Sequence, residues 1–255
     1  MRICIFCGGP AATKEHILAS WLMDVLTAKT QTTHVVMTIG TEGHKPFVLR
    51  GKGAGLAVKC LCASCNSGWM SALEVRAKPY VLGMLRDIAI PLDREVQGTI
   101  SAWIMKTVMV CEFLSRDRAW YSDAERHAFK DTLRLPHGTA VWLGRCNETG
   151  WSSTITRQVR FGPEWPFTDG AVATFALGHF VFQVLSVRMQ EGHTHRGLVT
   201  FKATNVPDPW ARRMFQCWPL QPGAPLWPPA EPAALDAHEV QSLARRFETA
   251  PTWIP

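Results

Sequence analysis

Three absences narrow what this 255-residue sequence can be. No apolar leader separates Met1-Arg2 from the first cysteine pair, so a secretory segment and an oxidising destination are not expected. No apolar run reaches the ~20 residues that a membrane-spanning helix needs. The longest, 171–187, is broken by His179 and Gln183, and reads as buried strands or a buried helix. No internal repeat is visible, which argues against a solenoid or a propeller. Tyrosine is scarce, two residues against eleven tryptophans, and this imbalance points to no particular chemistry. What remains is ordinary globular composition, 47% hydrophobic and 19% charged, enough for one large core or two smaller ones.

Charge is unevenly placed. Residues 1–80 hold nine of the 27 basic groups and four of the 21 acidic ones, so most of the net +6 lies there. Four thiolates on one zinc ion would leave this segment mildly basic, which suits a polyanion as well as a generic basic surface. Eight cysteines are enough for disulfides, but four of them form Cys-x-x-Cys pairs, Cys4/Cys7 and Cys62/Cys65. In a chain without a leader such pairs read as metal ligands in a reducing cytoplasm. Each knuckle supplies two corners of a tetrahedron, so together they close the shell of a structural zinc. Cys60 could compete as a ligand; it reads better, like Cys111, Cys146 and Cys217, as a small buried apolar residue.

The pattern around these pairs predicts local structure. Gly8-Gly9-Pro10 turns the first knuckle. Residues 13–17 read as a short extended segment and 19–26 as a short helix. Runs 34–39 and 46–50 read as a hairpin, 51–55 as a flexible basic loop, and 56–61 as a strand leading to the second knuckle. Asn66 opens a helix over 67–77, stopped by Pro79. Knuckle, strands, knuckle and helix then make a ββα module. Beyond it the sequence predicts helices at 100–114, 122–133 and 234–247, and strands at 140–143, 153–161, 171–187 and 197–203. Six prolines in 219–232 read as a linker or a surface strap. The expected class is α+β, divided into a module over 1–79 and a larger α+β domain over 80–255.

A closed zinc site does not hydrolyse anything, so any catalysis needs other residues. Glu15-His16 lies between the knuckles and Asn66 follows Cys65. Cys-x-x-Cys, acidic-His and Cys-x-x-Cys-Asn, in that order, resemble the HNH, or ββα-metal, endonucleases. The pattern is similar to that of their zinc-containing branch with phage recombination endonuclease VII, over about residues 1–78. The resemblance implies a divalent metal, Mg2+ or Mn2+, on Glu15 and Asn66, and His16 as the base that deprotonates the water attacking phosphorus. The implied substrate is nucleic acid, expected to be DNA. The chemistry is consistent. Magnesium accepts a carboxylate and an amide oxygen while keeping waters, and histidine suits water activation near neutral pH. The chain departs from the family pattern in having Glu15 where Asp is commoner and Ala19 near the place of a frequent proline. The segment from His16 to Cys62 is also longer than usual.

The other reading is a non-catalytic zinc module that binds nucleic acid or a protein. Glu74, two helical turns after Asn66, reads as a surface helix residue, with a role beside the metal as the alternative. Lys14, Lys52, Arg76 and Lys78 could touch phosphate or simply be solvated. His193 and His195 suggest a polar turn, since no further ligand lies near in sequence; His34, His44 and His137 read as surface residues. No membrane partner is expected, and the oligomeric state, a dimer included, is left open.

Overall fold

The computed structural model describes residues 2–22, 24–26, 31–38, 47–52, 56–114, 119–147, 151–160, 167–189, 210, 212–228 and 234–247. The fold is α+β. Strand β1 (Thr13–His16) is followed by β2 (Gln31–Thr38), β3 (Phe47–Lys52) and β4 (Ala57–Leu61). Helix α1 covers Ser71–Leu85, β5 Ile90–Pro91, α2 Arg94–Cys111 and α3 Asp123–Thr132. Strands β6 (Thr139–Arg145), β7 (Trp151–Arg160), β8 (Phe167–Leu177), β9 (Phe180–Met189), β10 (Met214–Trp218) and β11 (Leu226–Trp227) precede α4 (Ala237–Leu243).

The ββα unit forms from β1, β4 and α1. Strands β1 and β4 pair antiparallel, with Glu15 opposite Val58 and His16 opposite Ala57. The predicted hairpin exists, but its place differs from the expectation. Strands β2 and β3 pair antiparallel, and β2 then joins β7 in parallel register, from Gln31 beside Trp151 to Thr38 beside Gln158. The hairpin thus forms one edge of a seven-stranded sheet, ordered β10-β6-β9-β8-β7-β2-β3. A local reading assigns a hairpin to its sequence neighbours, whereas parallel pairing joins segments more than a hundred residues apart. Strand β3 also extends through Lys52, into the stretch read as a loop.

Pro79 does not end its helix. Residues 63–70 are already helical, with a π-type turn over Asn66–Met70 and a non-helical Gly68, and α1 then runs through Pro79 to Leu85. Pro79 and Val75 are both exposed, so the Val75 carbonyl that loses its backbone partner faces water. Across the helix Leu73, Ala77, Val81 and Met84 are buried, and their packing outweighs the proline cost. The predicted segment 19–26 reduces to one 3-10 turn at Ser20–Leu22. The long apolar run divides at Gly178-His179 into β8 and β9, where Gly178 supplies a positive φ of 54°. The helix predicted at 122–133 is α3, and it opens on a capping box, with the Ser122 side chain on the Glu125 N–H and Glu125 on the Ser122 N–H. The described part of the proline-rich stretch is a strap: β11 pairs with β5, and the Leu92 N–H donates to the Pro225 carbonyl. Segment 197–203, His44, His193 and His195 lie outside the described residues.

Helix α2 organises the core. It starts at Asp93, whose side chain accepts from the Val96 N–H at 2.9 Å, and it is buried on nearly every side. Trp103 meets Trp21 of the N-terminal module, ring centroids 6.2 Å apart, and Phe182 of β9, 6.1 Å apart. Ser101 reaches Cys217 of β10. One apolar cluster therefore runs from Cys4, Phe6 and Leu61 through α1 and α2 to Phe175, Phe182 and Trp227. A second cluster, with Trp142, Leu185, Leu235 and Leu243, packs α4 and its flanking turns against the sheet. Among the described residues no helix is long and apolar enough to cross a membrane.

Candidate metal centre and adjoining cavity

Two tight turns bring the cysteines together. In the first, Gly8 takes a positive φ of 72° and its N–H donates to the Cys4 carbonyl at 2.9 Å; the Cys4 N–H closes on the Gly9 carbonyl at 2.6 Å. In the second, Cys62 caps the helical turn that carries Cys65, its sulfur accepting from the Cys65 N–H at 3.4 Å. The Sγ atoms of Cys4, Cys7, Cys62 and Cys65 all lie within 4.8 Å of one another, and those of Cys7 and Cys62 are 3.5 Å apart. A tetrahedron with Zn–S bonds of ~2.3 Å needs sulfurs ~3.8 Å apart, so the four residues can hold a metal such as zinc.

The thiols cannot all ionise unaided. Burial works against the Cys62 thiolate, but the Ser64 hydroxyl, the Cys65 N–H and the neighbouring thiols outweigh it and bring Cys62 down to about 6. Burial pushes the Cys65 thiol well up. The Gly9 backbone pulls the Cys7 thiol down, yet burial and the contacts with Cys62 and Cys4 raise it overall. A dication supplies the compensation for four thiolates. Cys60 stays out of the cluster: it is buried on β4, and burial followed by the nearby Glu15 charge pushes it up to about 12. Cys111, Cys146 and Cys217 are buried, as their isolation suggested.

The metal cluster is joined to the remaining chain through aromatic packing. Phe129 of α3 stands 6.5 Å from the Phe6 ring, inside the first knuckle, and 5.9 Å from Trp69, just past the second. It is 1% exposed. Phe129→Ala removes the ring that both knuckles lean on, and the expected cost is about 3–5 kcal/mol in a denaturant titration.

The predicted site residues come together beside this cluster. A cavity of about 300 Å³ is lined by Glu15, His16, Ala19, Ser20, Asn66, Ser67, Met70, Ser71 and Glu74. A register shift between Thr13 and Glu15 bends β1 at this point. Beyond it Glu15 is partly buried and His16 exposed, and both reach the same cavity. The Asn66 Nδ2 donates to the Thr13 hydroxyl at 3.3 Å and to the Lys14 carbonyl at 3.4 Å. A carbonyl only accepts, so the nitrogen of this amide faces β1 and Oδ1 is the atom left for a metal. Asn66 thereby ties the strand carrying Glu15 and His16 to the knuckle carrying Cys65. Lys14, Arg76 and Lys78 are exposed, and the Lys78 ammonium lies 5.8 Å from the centre of the Trp21 ring. Lys52 is on β3, in the large sheet, not in the β1/β4 pair that carries the cavity. His137 is exposed, as expected.

Two participants add to the sequence reading. Glu74 lines the cavity and is not a free surface residue, because two helical turns return it to the face of Asn66. Lys106 of α2 is completely buried. Its Nζ lies 2.7 Å from Glu74 Oε1 and 3.5 Å from Glu15 Oε1. Its signal in the sequence is a lone lysine inside an all-round apolar helix, a position that demands a partner. Burial raises the affinity of Glu15 for its proton; Lys106 opposes that, and the Glu74 charge reinforces it. Among the described residues the four cysteines are the one group of three or more thiol, imidazole or carboxylate ligands whose donor atoms converge. Glu15, His16 and Glu74 share a cavity without closing into such a group. An open set of this kind, two carboxylates and an amide oxygen with room for water, fits magnesium or manganese, which keep several waters.

Comparison with protein-family models, curated proteins and solved structures finds no match for this chain.

Proposed function

We propose that the chain is a metal-dependent endonuclease that hydrolyses DNA phosphodiester bonds, built on a zinc-stapled ββα module. The observation that carries this reading is the cavity itself: Glu15, His16, Asn66 and Glu74, from residues up to about sixty apart, line one polar recess next to the four-cysteine cluster. Glu15, Asn66 Oδ1 and Glu74 are the groups that would hold Mg2+ or Mn2+. When bound, such an ion neutralises charge on the phosphate and on the leaving oxygen. His16, exposed at the end of β1, takes a proton from the attacking water as the new oxygen–phosphorus bond forms and the bond to the leaving oxygen breaks. Asn66 holds β1 in place during this step through the Lys14 carbonyl. Lys14, Arg76 and Lys78, which are exposed, would neutralise backbone phosphates. Four reduced thiols around zinc suit a reducing cytoplasm.

The test is incubation of zinc-loaded protein with plasmid, linear duplex, branched and single-stranded DNA, and RNA, with Mg2+, Mn2+ or EDTA. Cleavage of DNA that requires the added divalent ion is the expected result. Because the cavity ligands do not converge as the cysteines do, the same assay separates a second reading, a zinc module that binds nucleic acid without cutting it. DNA retarded on a gel yet left intact with every ion would establish that reading instead.

A further inference from the structure

We infer that Lys106 is a positioning residue, whose buried ammonium holds the Glu15 and Glu74 carboxylates at the cavity and sets how tightly a divalent cation is held there. The inference rests on the metal-site reading above. Lys106 enters from α2, outside the ββα unit, and its side chain is only 1% exposed. Substrate therefore cannot touch it, and it acts only through the two carboxylates. It ion-pairs with Glu74 of α1 at 2.7 Å and with Glu15 of β1 at 3.5 Å. Those carboxylates are 12% and 20% exposed, for Glu15 and Glu74 respectively, so each is bounded by the ammonium on one side and the cavity on the other.

Stability alone does not call for this arrangement. Replacing a buried ion pair by apolar groups of similar volume is often neutral or stabilising. Charge balance gives it a use. Two carboxylates and one ammonium leave the site with a single negative charge. A bound dication turns that to a single positive charge, opposite in sign to one phosphodiester. Without Lys106 the empty site carries two negative charges, and the loaded one carries none. The lysine thus weakens cation binding and leaves positive charge for the substrate phosphate.

The test is Mn2+ binding to zinc-loaded protein, measured by calorimetry and by the loss of the free-ion electron paramagnetic signal. Wild type, Lys106→Met, Lys106→Gln and Glu15→Gln are compared. Lys106→Met keeps the length of the stem, and Lys106→Gln keeps a donor, so that either folded variant suffices. Removing the buried unit charge that pairs with both carboxylates is expected to tighten Mn2+ binding by roughly tenfold or more. A lysine that served only as packing would leave affinity unchanged or lower it by loosening the site. Affinity within twofold of wild type, or weaker, in a folded Lys106 variant overturns the inference. Glu15→Gln is the separate control: its weaker binding marks the cavity as the site measured. Wild type that binds no Mn2+, or a Glu15→Gln variant that binds it as wild type does, overturns the metal-site reading and this inference with it. Tighter binding in the Lys106 variants together with weaker binding in Glu15→Gln supports both.

Discussion

His16→Ala is expected to abolish the proposed DNA cleavage while leaving zinc content and fold intact. The expected loss is about 10²–10⁴-fold in the chemical step, the range that a positioned proton acceptor contributes. The structure makes this substitution unusually easy to interpret. His16 is the last residue of β1, its side chain is exposed, and it lines the cavity without supporting the core. A surface change of this kind usually alters stability by no more than about 0.5 kcal/mol. The neighbouring backbone is held independently, by pairing with Ala57 and by the Asn66 amide on the Lys14 carbonyl. The measurement is single-turnover cleavage of a labelled duplex in Mg2+, with zinc analysis and a melting curve on the same preparation. A variant that cuts at the wild-type rate would sink the assignment of His16 as base.

Cys65→Ser has the largest expected effect on stability. Cys65 is buried, and the four-cysteine cluster it completes, which can hold a metal such as zinc, joins two knuckles 55 residues apart together with the strand pair between them. In isolated zinc fingers the ion supplies about 10–16 kcal/mol of apparent binding free energy at neutral pH, and the fold is lost without it. Here Phe129 and α2 also grip the module, so a loss of several kcal/mol is expected and not complete unfolding. Bound zinc should fall from one equivalent to well below one, with the melting transition lowered and residues 2–22 and 56–70 opened to protease. Chelation of the wild-type protein should reproduce the effect. Stoichiometric zinc in Cys65→Ser, or a chelated protein that melts as before, would contradict the four-cysteine site.

The same local-against-distant contrast explains what the residues reveal when read in order. The knuckles were legible because a Cys-x-x-Cys turn is decided within four residues, and two such turns leave few partners to choose among. The start of the helix at Ser122 was legible for the same reason. The hairpin over β2 and β3 was recognisable as a hairpin, but its parallel seam with β7 depends on a strand more than a hundred residues away. Pro79 misled because its cost is local and its compensation, buried Ala77, Val81 and Met84, is tertiary. In the cavity, Glu15, His16 and Asn66 could be named from motif order. Glu74, two turns past Asn66, could face solvent or the metal, and only the cavity and its pairing with Lys106 decide between them. Lys106 needed the knowledge that α2 packs beneath the carboxylates, which no spacing within the first 80 residues contains.

The continuous core around α2 bears on how this chain can be dissected. A fragment ending near residue 79 would keep all four cysteines and every cavity-lining residue. It would also end partway through α1, expose the faces of Leu73 and Ala77, uncover Trp21, and leave Glu15 and Glu74 without their counter-charge. The apparent catalytic unit is thus not a transplantable one. Any engineering that grafts the motif elsewhere has to carry a substitute for the helix that closes it from below.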